Sequence, residues 1–141
     1  MGEIERAENK ARQRATLFYM MALVLVVMTV VNLGRPTDGV RLAVWTVTMA
    51  LFALNLTPVA PMRSRALGRL LNDETTRDHR RSSFAAGFWA AIASALAIGF
   101  ATRVAAIAPL DVTRVVVAAG LTAALVSFAT LELRAQGSGG R

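Results

Sequence analysis

The chain has 141 residues, 55% of them hydrophobic, and a mean hydropathy of +0.47. A single domain of this size and apolarity is too hydrophobic for a small soluble protein, and the lack of cysteine excludes disulfides and thiolate metal sites. The net charge is +7 and Lys10 is the only lysine, so arginine carries nearly all of the positive charge. In a membrane protein such charge marks the cytoplasmic side.

The chain begins with a polar segment, residues 1–14, which contains acidic residues and has no small-residue cleavage site after the apolar block that follows. We therefore expect it to be part of the mature protein and not a signal peptide. Residues 15–33 form the first predicted span, with Tyr19 near one membrane interface. Gly34, Pro36 and Asp38 then make a short turn, which predicts that the next helix is an antiparallel neighbour.

The second predicted span covers residues 40–60 and is closed by Pro58 and Pro61, which interrupt helical hydrogen bonding. Asn55 lies in its last turns. A polar amide in hydrocarbon favours a hydrogen bond to a neighbouring helix over a ligand contact.

Residues 61–83 are the only long polar connection. The apolar residues of 62–71 fall on one helical face, which predicts a short helix on the inner leaflet. Three arginines lie mostly off that face and are predicted to contact lipid headgroups: Arg63, Arg65 and Arg69. Asn72 or Asp73 is the predicted cap of the next helix, because acids and amides favour a helix start.

The third predicted span covers residues 84–107, and the uninterrupted stretch 73–107 would form one helix about 50 Å long at about 1.5 Å per residue. That exceeds a hydrocarbon core of about 30 Å, so its first part should project into the cytoplasm. The fourth span covers residues 112–133, with Asp111 as its predicted cap. Small residues four apart on the third and fourth spans predict close mutual packing: Gly87, Ala91, Ala95, Gly99, Ala119, Ala123 and Ser127.

The distribution of basic residues predicts the orientation. The amino end carries four, the long connection six and the carboxyl tail two, whereas the two short turns and their flanks carry four. The positive-inside rule then places both termini and the long connection in the cytoplasm. The prediction is an all-α, antiparallel four-helix bundle with the third helix extended into the cytoplasm, forming one membrane domain over residues 1–141. Direct nucleic-acid binding is not needed to explain the charge.

The sequence offers no pattern typical of an enzyme. His79 is the only histidine, so one chain cannot supply a multi-histidine metal site. Asp78 and His79 are adjacent and would point about 100° apart on a helix, so with Ser82 and Ser83 they do not form a catalytic triad. No cofactor site is predicted, and the four spans contain no acidic residue at mid-membrane depth of the kind that proton-coupled transport usually needs.

One segment carries a resemblance to known proteins. Residues 71–89, LNDETTRDHRRSSFAAGFW, resemble a pattern in small four-span bacterial inner-membrane proteins, in which D-E-x-T-R and H/N-R lead into a helix opening with G-F-W. The resemblance implies the same topology and, for some members, a partnership with small cytoplasmic helix-turn-helix regulators.

Two functions are compatible with these features. The first is a non-catalytic regulatory or scaffolding membrane protein that binds a cytoplasmic partner, such as a transcription regulator, through residues 61–83 and the extension of the third helix. Its predicted partner-binding residues are Asp73, Glu74, Arg77, His79, Arg80 and Arg81. The alternative is a small transporter or channel subunit that works as a homo-oligomer. Its predicted polar path is lined by Thr46, Thr48, Asn55 and Ser94.

Overall fold

A computed structural model describes residues 2–36, 38–57 and 74–138, and all regular secondary structure in these residues is α-helical. The helices are α1 (Gly2–Asn32), α2 (Gly39–Leu56), α3 (Glu74–Ala101) and α4 (Pro109–Ser138). Each contains a stretch long and apolar enough to cross a membrane. The predicted all-α class and the four potential spans are therefore confirmed. The predicted headgroup helix 62–71, with Arg63, Arg65 and Arg69, lies outside the described residues.

Helix α4 is the element on which the others pack. It contacts α3 and α1 extensively and α2 over a smaller area, whereas α1 and α2 touch only slightly. Phe18 of α1 meets Phe128 of α4 edge to face, with ring centroids 5.0 Å apart. Helix α4 buries residues on more than one face, whereas large parts of α3 remain exposed.

The buried core is narrow and is surrounded by exposed apolar side chains. On α1 it follows the alternating three- and four-residue spacing of one helical face: Ala15, Phe18, Ala22 and Leu25. Large hydrophobic residues elsewhere on the same helix are exposed, among them Leu17, Leu23 and Val30. Such an apolar exterior is unfavourable in water and is the expected exterior of a chain surrounded by lipid.

Helix α2 ends four residues before the predicted boundary. Thr57 has an extended backbone (φ −86°, ψ 152°), and its N–H donates to the Leu54 carbonyl. The physical reason is Pro58, because a proline ring disfavours the helical conformation of the residue before it. Helix α2 therefore ends at Leu56, two residues before Pro58.

The connection between α3 and α4 also differs from the prediction. Helix α3 ends at Ala101 and not at Ile107. Its end is followed by hydrogen bonds between residues three apart, as in a 3₁₀ turn; the Val104 N–H, for example, donates to the Ala101 carbonyl at 3.1 Å. Helix α4 then begins with Pro109, a residue favoured at the first helical position. Asp111 consequently lies inside the first turn of α4, and its predicted role as N-cap is wrong. Residues 102–107 are mostly apolar, so hydropathy did not mark this helix end.

Candidate functional sites

The polar contacts between the described helices gather at two ends of the bundle. The turn end comprises residues 33–36, 38 and 102–108, with the adjoining helix ends. The charged end comprises Arg14 of α1, Arg80 of α3 and Glu132 of α4, with the residues around them. At the charged end Arg14, near the middle of α1, pairs with Glu132 in the last turns of α4. At the turn end the last residue of α1, Asn32, contacts Arg114 near the start of α4.

At the turn end, a buried ion pair attaches α4 to the end of α1. The Arg114 guanidinium lies 3.2 Å from the Asp111 carboxylate, and these side chains are 2% and 12% exposed. The same guanidinium donates to the Asn32 carbonyl at 2.9 Å, and the Gly34 N–H donates to Asp111 at 3.1 Å. Arg114 and Asp111 thus satisfy backbone groups that the end of α1 leaves without helical partners.

The turn after α1 requires a glycine. Gly34 has φ +68°, in the left-handed region that residues with a Cβ rarely adopt. In this conformation the Gly34 N–H donates to the Asp111 carboxylate. On the other side of the turn, Asp38 accepts a 2.7 Å hydrogen bond from the Arg41 N–H and caps α2.

Sequence reasoning missed the Asp111–Arg114 pair, because Arg114 was counted only as a charge flanking a turn. The available signal was the spacing: an acid and an arginine three apart in a first helical turn lie on the same face. The spacing alone does not reveal that the pair is buried against the end of α1.

At the charged end, three helices bring their charges together. Arg14 Nη1 lies 3.4 Å from Glu132 Oε1, and the two side chains are 35% and 15% exposed. Arg80 is half-buried and lies within electrostatic range of both. Arg14 and Glu132 were not predicted site residues, because nothing in their local sequence shows that three distant segments meet there.

The structure divides the predicted partner-binding residues into separate groups. Arg80 lies near α1 and α4, whereas Arg77 and Arg81, four residues apart on α3, are exposed. His79 is half-buried, and its carbonyl accepts a 2.6 Å hydrogen bond from the buried hydroxyl of Ser83. Asp73 lies outside the described residues, and Glu74 is the first residue of α3.

The middle of the α3–α4 interface is a close approach of two backbones. A Cβ built on Gly87 would lie 2.7 Å from the Gly120 carbonyl oxygen and 3.0 Å from the Ala124 Cβ. A Cβ on Gly120 would lie 3.2 Å from the Ala91 Cβ. Only a pair of helices with small residues at these positions can approach this closely.

The predicted packing residues fall unevenly on this interface. Gly87 and Ala91 lie at the contact with α4, but Ala95 is exposed and Gly99 has no neighbour within 4 Å that a Cβ would meet. On α4 the closest residues are Gly120 and Ala124, each one position after a predicted residue. The predicted residues of α4 are half-buried: Ala119, Ala123 and Ser127. Because α4 is rich in alanine, more than one of its faces carries small residues four apart, and the sequence does not show which face packs against α3.

The four polar residues predicted for a transport path bond within their own helices. Thr46 and Thr48 donate to carbonyls one turn earlier in α2, both at 2.8 Å, and Ser94 donates to the Ala91 carbonyl at 2.9 Å. Asn55 is exposed and donates to the Leu51 carbonyl at 2.8 Å, within its own helix; the predicted hydrogen bond to a neighbouring helix stays a prediction. The backbone acceptor one turn back is always within reach of a helical side chain, whereas a neighbouring helix must be suitably placed.

Among residues 2–36, 38–57 and 74–138, no group of three His, Asp or Glu side chains is arranged to hold a metal ion. No protein-family model, curated protein or solved structure matches the chain.

Proposed function

We propose that this chain is a non-catalytic, multi-pass membrane protein with a regulatory or scaffolding role, and that its charged end binds a soluble protein partner. The observation that carries the proposal is the unbroken course of α3 from Glu74 to Ala101, 28 residues. At about 1.5 Å per residue such a helix is about 42 Å long, which exceeds a hydrocarbon core of about 30 Å. The excess length gives α3 a polar end outside the lipid.

The polar end of α3 has two neighbours that support it. Helix α1 has 31 residues and α4 has 30, so both also exceed the length needed for one span. The contact of Arg14 with Glu132 brings the two helices together at the end where Arg80 lies. The proposed partner surface is therefore one side of a three-helix platform, and displacement of α3 along α4 would move it as a rigid body.

Within this platform, the exposed residues Arg77, Asp78 and Arg81 are the proposed contact residues. Arg80 is assigned to the interior, because it faces the charges of Arg14 and Glu132. Two arginines four apart on a helix favour a partner that presents carboxylates at a similar spacing. A small helix-turn-helix regulator, the partner class that the resemblance implies, remains the proposed candidate.

The proposed membrane arrangement is an antiparallel four-helix bundle in a bacterial inner membrane, with both termini and residues 61–83 in the cytoplasm. The support is the excess of arginine on that side and the pairing of Arg14 of α1 with Glu132 in the last turns of α4.

Orientation can be tested with single cysteines, because the natural chain has none. Cysteine at position 103 should react with an impermeant maleimide in intact cells. Cysteine at position 77 should react only after permeabilisation. The reverse pattern would refute the orientation and move the proposed partner surface outside the cell.

Partner binding can be tested by site-specific photocrosslinking in cells. A photoreactive residue at position 78 should capture a defined soluble protein, and one at position 103, at the turn end, should not. The double variant Arg77→Glu/Arg81→Glu should abolish capture, whereas the control Arg103→Glu should leave it intact. The captured protein should then bind the purified wild-type chain in lipid nanodiscs.

Two results would contradict the partner proposal. One is capture of the same proteins from positions 78 and 103, which would indicate labelling of abundant neighbours. The other is undiminished capture after both charge reversals, which would remove the assigned role of Arg77 and Arg81.

A further inference from the structure

Helix α2 is held more loosely by the rest of the bundle than the other helices are. It contacts α4 over a small area and α1 only slightly. Its buried residues, Trp45, Met49 and Leu56, lie on one narrow face of the helix. Most of the surface of α2 therefore faces outward from a single copy of the chain.

Two outward rows of side chains on α2 differ in their chemistry. Both follow the alternating three- and four-residue spacing that lines side chains up on a helix. The apolar row is fully exposed and consists of Val40, Ala43, Val47, Ala50 and Leu54. The polar row is exposed except at its half-buried threonine and consists of Arg41, Val44, Thr48, Leu51 and Asn55. Lipid alone is a suitable neighbour for the apolar row, but not for a row in which every seventh residue is polar.

Asn55 is the member of the polar row whose hydrogen bonding is incomplete in one copy. One of its two amide N–H groups donates to the Leu51 carbonyl at 2.8 Å. The other N–H and the amide oxygen have no hydrogen-bond partner among the described residues. The hydroxyls of Thr46 and Thr48, in contrast, each donate to a carbonyl one turn earlier.

The length of α2 makes this incomplete hydrogen bonding costly. Its 18 residues measure about 27 Å at about 1.5 Å each, which does not exceed a hydrocarbon core of about 30 Å. Asn55 is the second residue from the end of the helix and therefore lies inside the hydrocarbon boundary. An amide that lacks partners is unfavourable there, and a second protein surface over the polar row would supply them.

The polar row is complementary to a copy of itself. An asparagine amide both donates and accepts, so two Asn55 side chains related by a twofold axis can exchange hydrogen bonds. At the other end of the row, Arg41 lies 3.5 Å from Asp38, and these side chains are 55% and 61% exposed. Each copy thus presents both signs of charge, and Asp38 of one copy offsets the repulsion between the two arginines. Val44 and Leu51 lie between these ends with the spacing typical of paired helices.

We propose that the polar row of α2 is the interface of a parallel homodimer, in which Asn55 hydrogen-bonds to Asn55 of a second copy. The helices are parallel because both copies cross the membrane in the same orientation, which places the twofold axis along the membrane normal. The interface contains none of the proposed partner contacts Arg77, Asp78 and Arg81. The dimer and the partner surface are therefore tested independently of each other.

The first test is disulfide crosslinking of the full chain in native membranes, because the natural chain has no cysteine. Leu51→Cys places a thiol on the polar row, and the matched control Leu54→Cys places one on the apolar row. The two leucines are 54% and 52% exposed, so they are equally open to random collision. Mild oxidation should convert Leu51→Cys to a covalent dimer and leave Leu54→Cys monomeric, because only facing positions bring two Cα atoms to within about 7 Å.

The second test measures the dimer dissociation constant by energy transfer between labelled copies diluted into liposomes. Asn55→Leu should raise this constant about tenfold, the effect expected of polar hydrogen bonding between two membrane helices. Thr46→Leu is the matched control, because it makes the same kind of change on α2 outside both rows and should leave the constant unchanged. Asn55→Gln keeps the amide and should restore most of the affinity.

Three results would overturn the proposal. Equal crosslinking from positions 51 and 54 would indicate random collision, and an unchanged dissociation constant in Asn55→Leu would remove the role of the amide. A crosslinked product that contains a different protein would assign the polar row to another partner. If Asn55→Leu does not fold, the two cysteine variants, which retain Asn55, decide the question.

Discussion

The two large interfaces of α4 differ in how they hold a helix in place. The interface with α1 uses large side chains, such as Phe18 against Phe128 one turn from the charged end, and polar contacts at both ends. The interface with α3 is built in its middle from Gly87, Ala91 and their small neighbours on α4, where backbone approaches backbone. In lipid, hydrophobic burial does not drive helix association, so tight packing and hydrogen bonds carry it. Helix α4 uses both means, on different faces.

The largest effect is expected from breaking the polar attachment of α1 at the turn end. Asp111→Ala should lower the free energy of unfolding by about 3 kcal/mol, because it leaves the buried Arg114 charge without its carboxylate. Steric trapping in bicelles measures this quantity. The control is Asp38→Ala, which removes an exposed cap of α2 and should cost about 1 kcal/mol. Equal losses for the two variants would mean that the buried pair adds nothing beyond a cap.

The next effect concerns the close approach of α3 to α4. Gly87→Val should cost about 2 kcal/mol of unfolding free energy, because its Cβ would meet the Gly120 carbonyl at 2.7 Å and force the helices apart. Gly99→Val makes the same chemical change in the same helix, where nothing lies within 4 Å. We expect it to stay within about 0.5 kcal/mol of the wild type. A similar loss in both variants would trace the effect to valine in a helix and not to the interface.

A smaller effect is expected at the charged end. Arg14→Gln should cost about 1 kcal/mol or less, because its partner Glu132 is mostly buried but Arg14 itself is about one-third exposed. A double-mutant cycle with Glu132→Gln, in bicelles of zwitterionic lipid only, isolates the coupling between the two side chains. A coupling energy of zero would show that the ion pair does not help to hold α1.

The smallest effect concerns the hydrogen bond between the Tyr19 hydroxyl and Thr130 Oγ1, which are 2.9 Å apart. Tyr19→Phe keeps the ring and should cost about 0.6 kcal/mol, the average measured for hydrogen bonds between helices in a membrane. In a Thr130→Val background the same substitution should have no further effect. An undiminished effect in that background would assign the loss to the ring environment and not to the hydrogen bond.

Hydropathy was sufficient to predict four helices long enough to span a membrane, because each apolar stretch is a property of consecutive residues. The four-residue spacing of small residues, which is also local, predicted Gly87 and Ala91 as packing residues. Helix ends were less predictable. Pro58 ended α2 before its own position, and α3 stopped at Ala101 within an apolar sequence. Hydropathy measures compatibility with lipid and contains little information about where a lipid-compatible chain turns.

The candidate sites were less predictable than the fold, because each depends on residues far apart in sequence. Arg114 meets Asn32 across 82 positions, and Glu132 meets Arg14 from the opposite end of the chain. One sequence contains no signal for such pairings. The exposure of Arg77 and Arg81 and the inward position of Arg80 likewise follow from where α4 lies, which the α3 sequence does not specify.

The central place of α4 has a consequence for biogenesis. During synthesis α1, α2 and α3 leave the ribosome before the helix that each of them packs against, and α1 and α2 make little contact with each other. The earlier helices therefore enter the lipid as loosely associated rods, and assembly waits for the last segment to be inserted. Membrane quality control would meet the nascent protein in this unassembled state, with Arg14 and Arg80 still lacking Glu132.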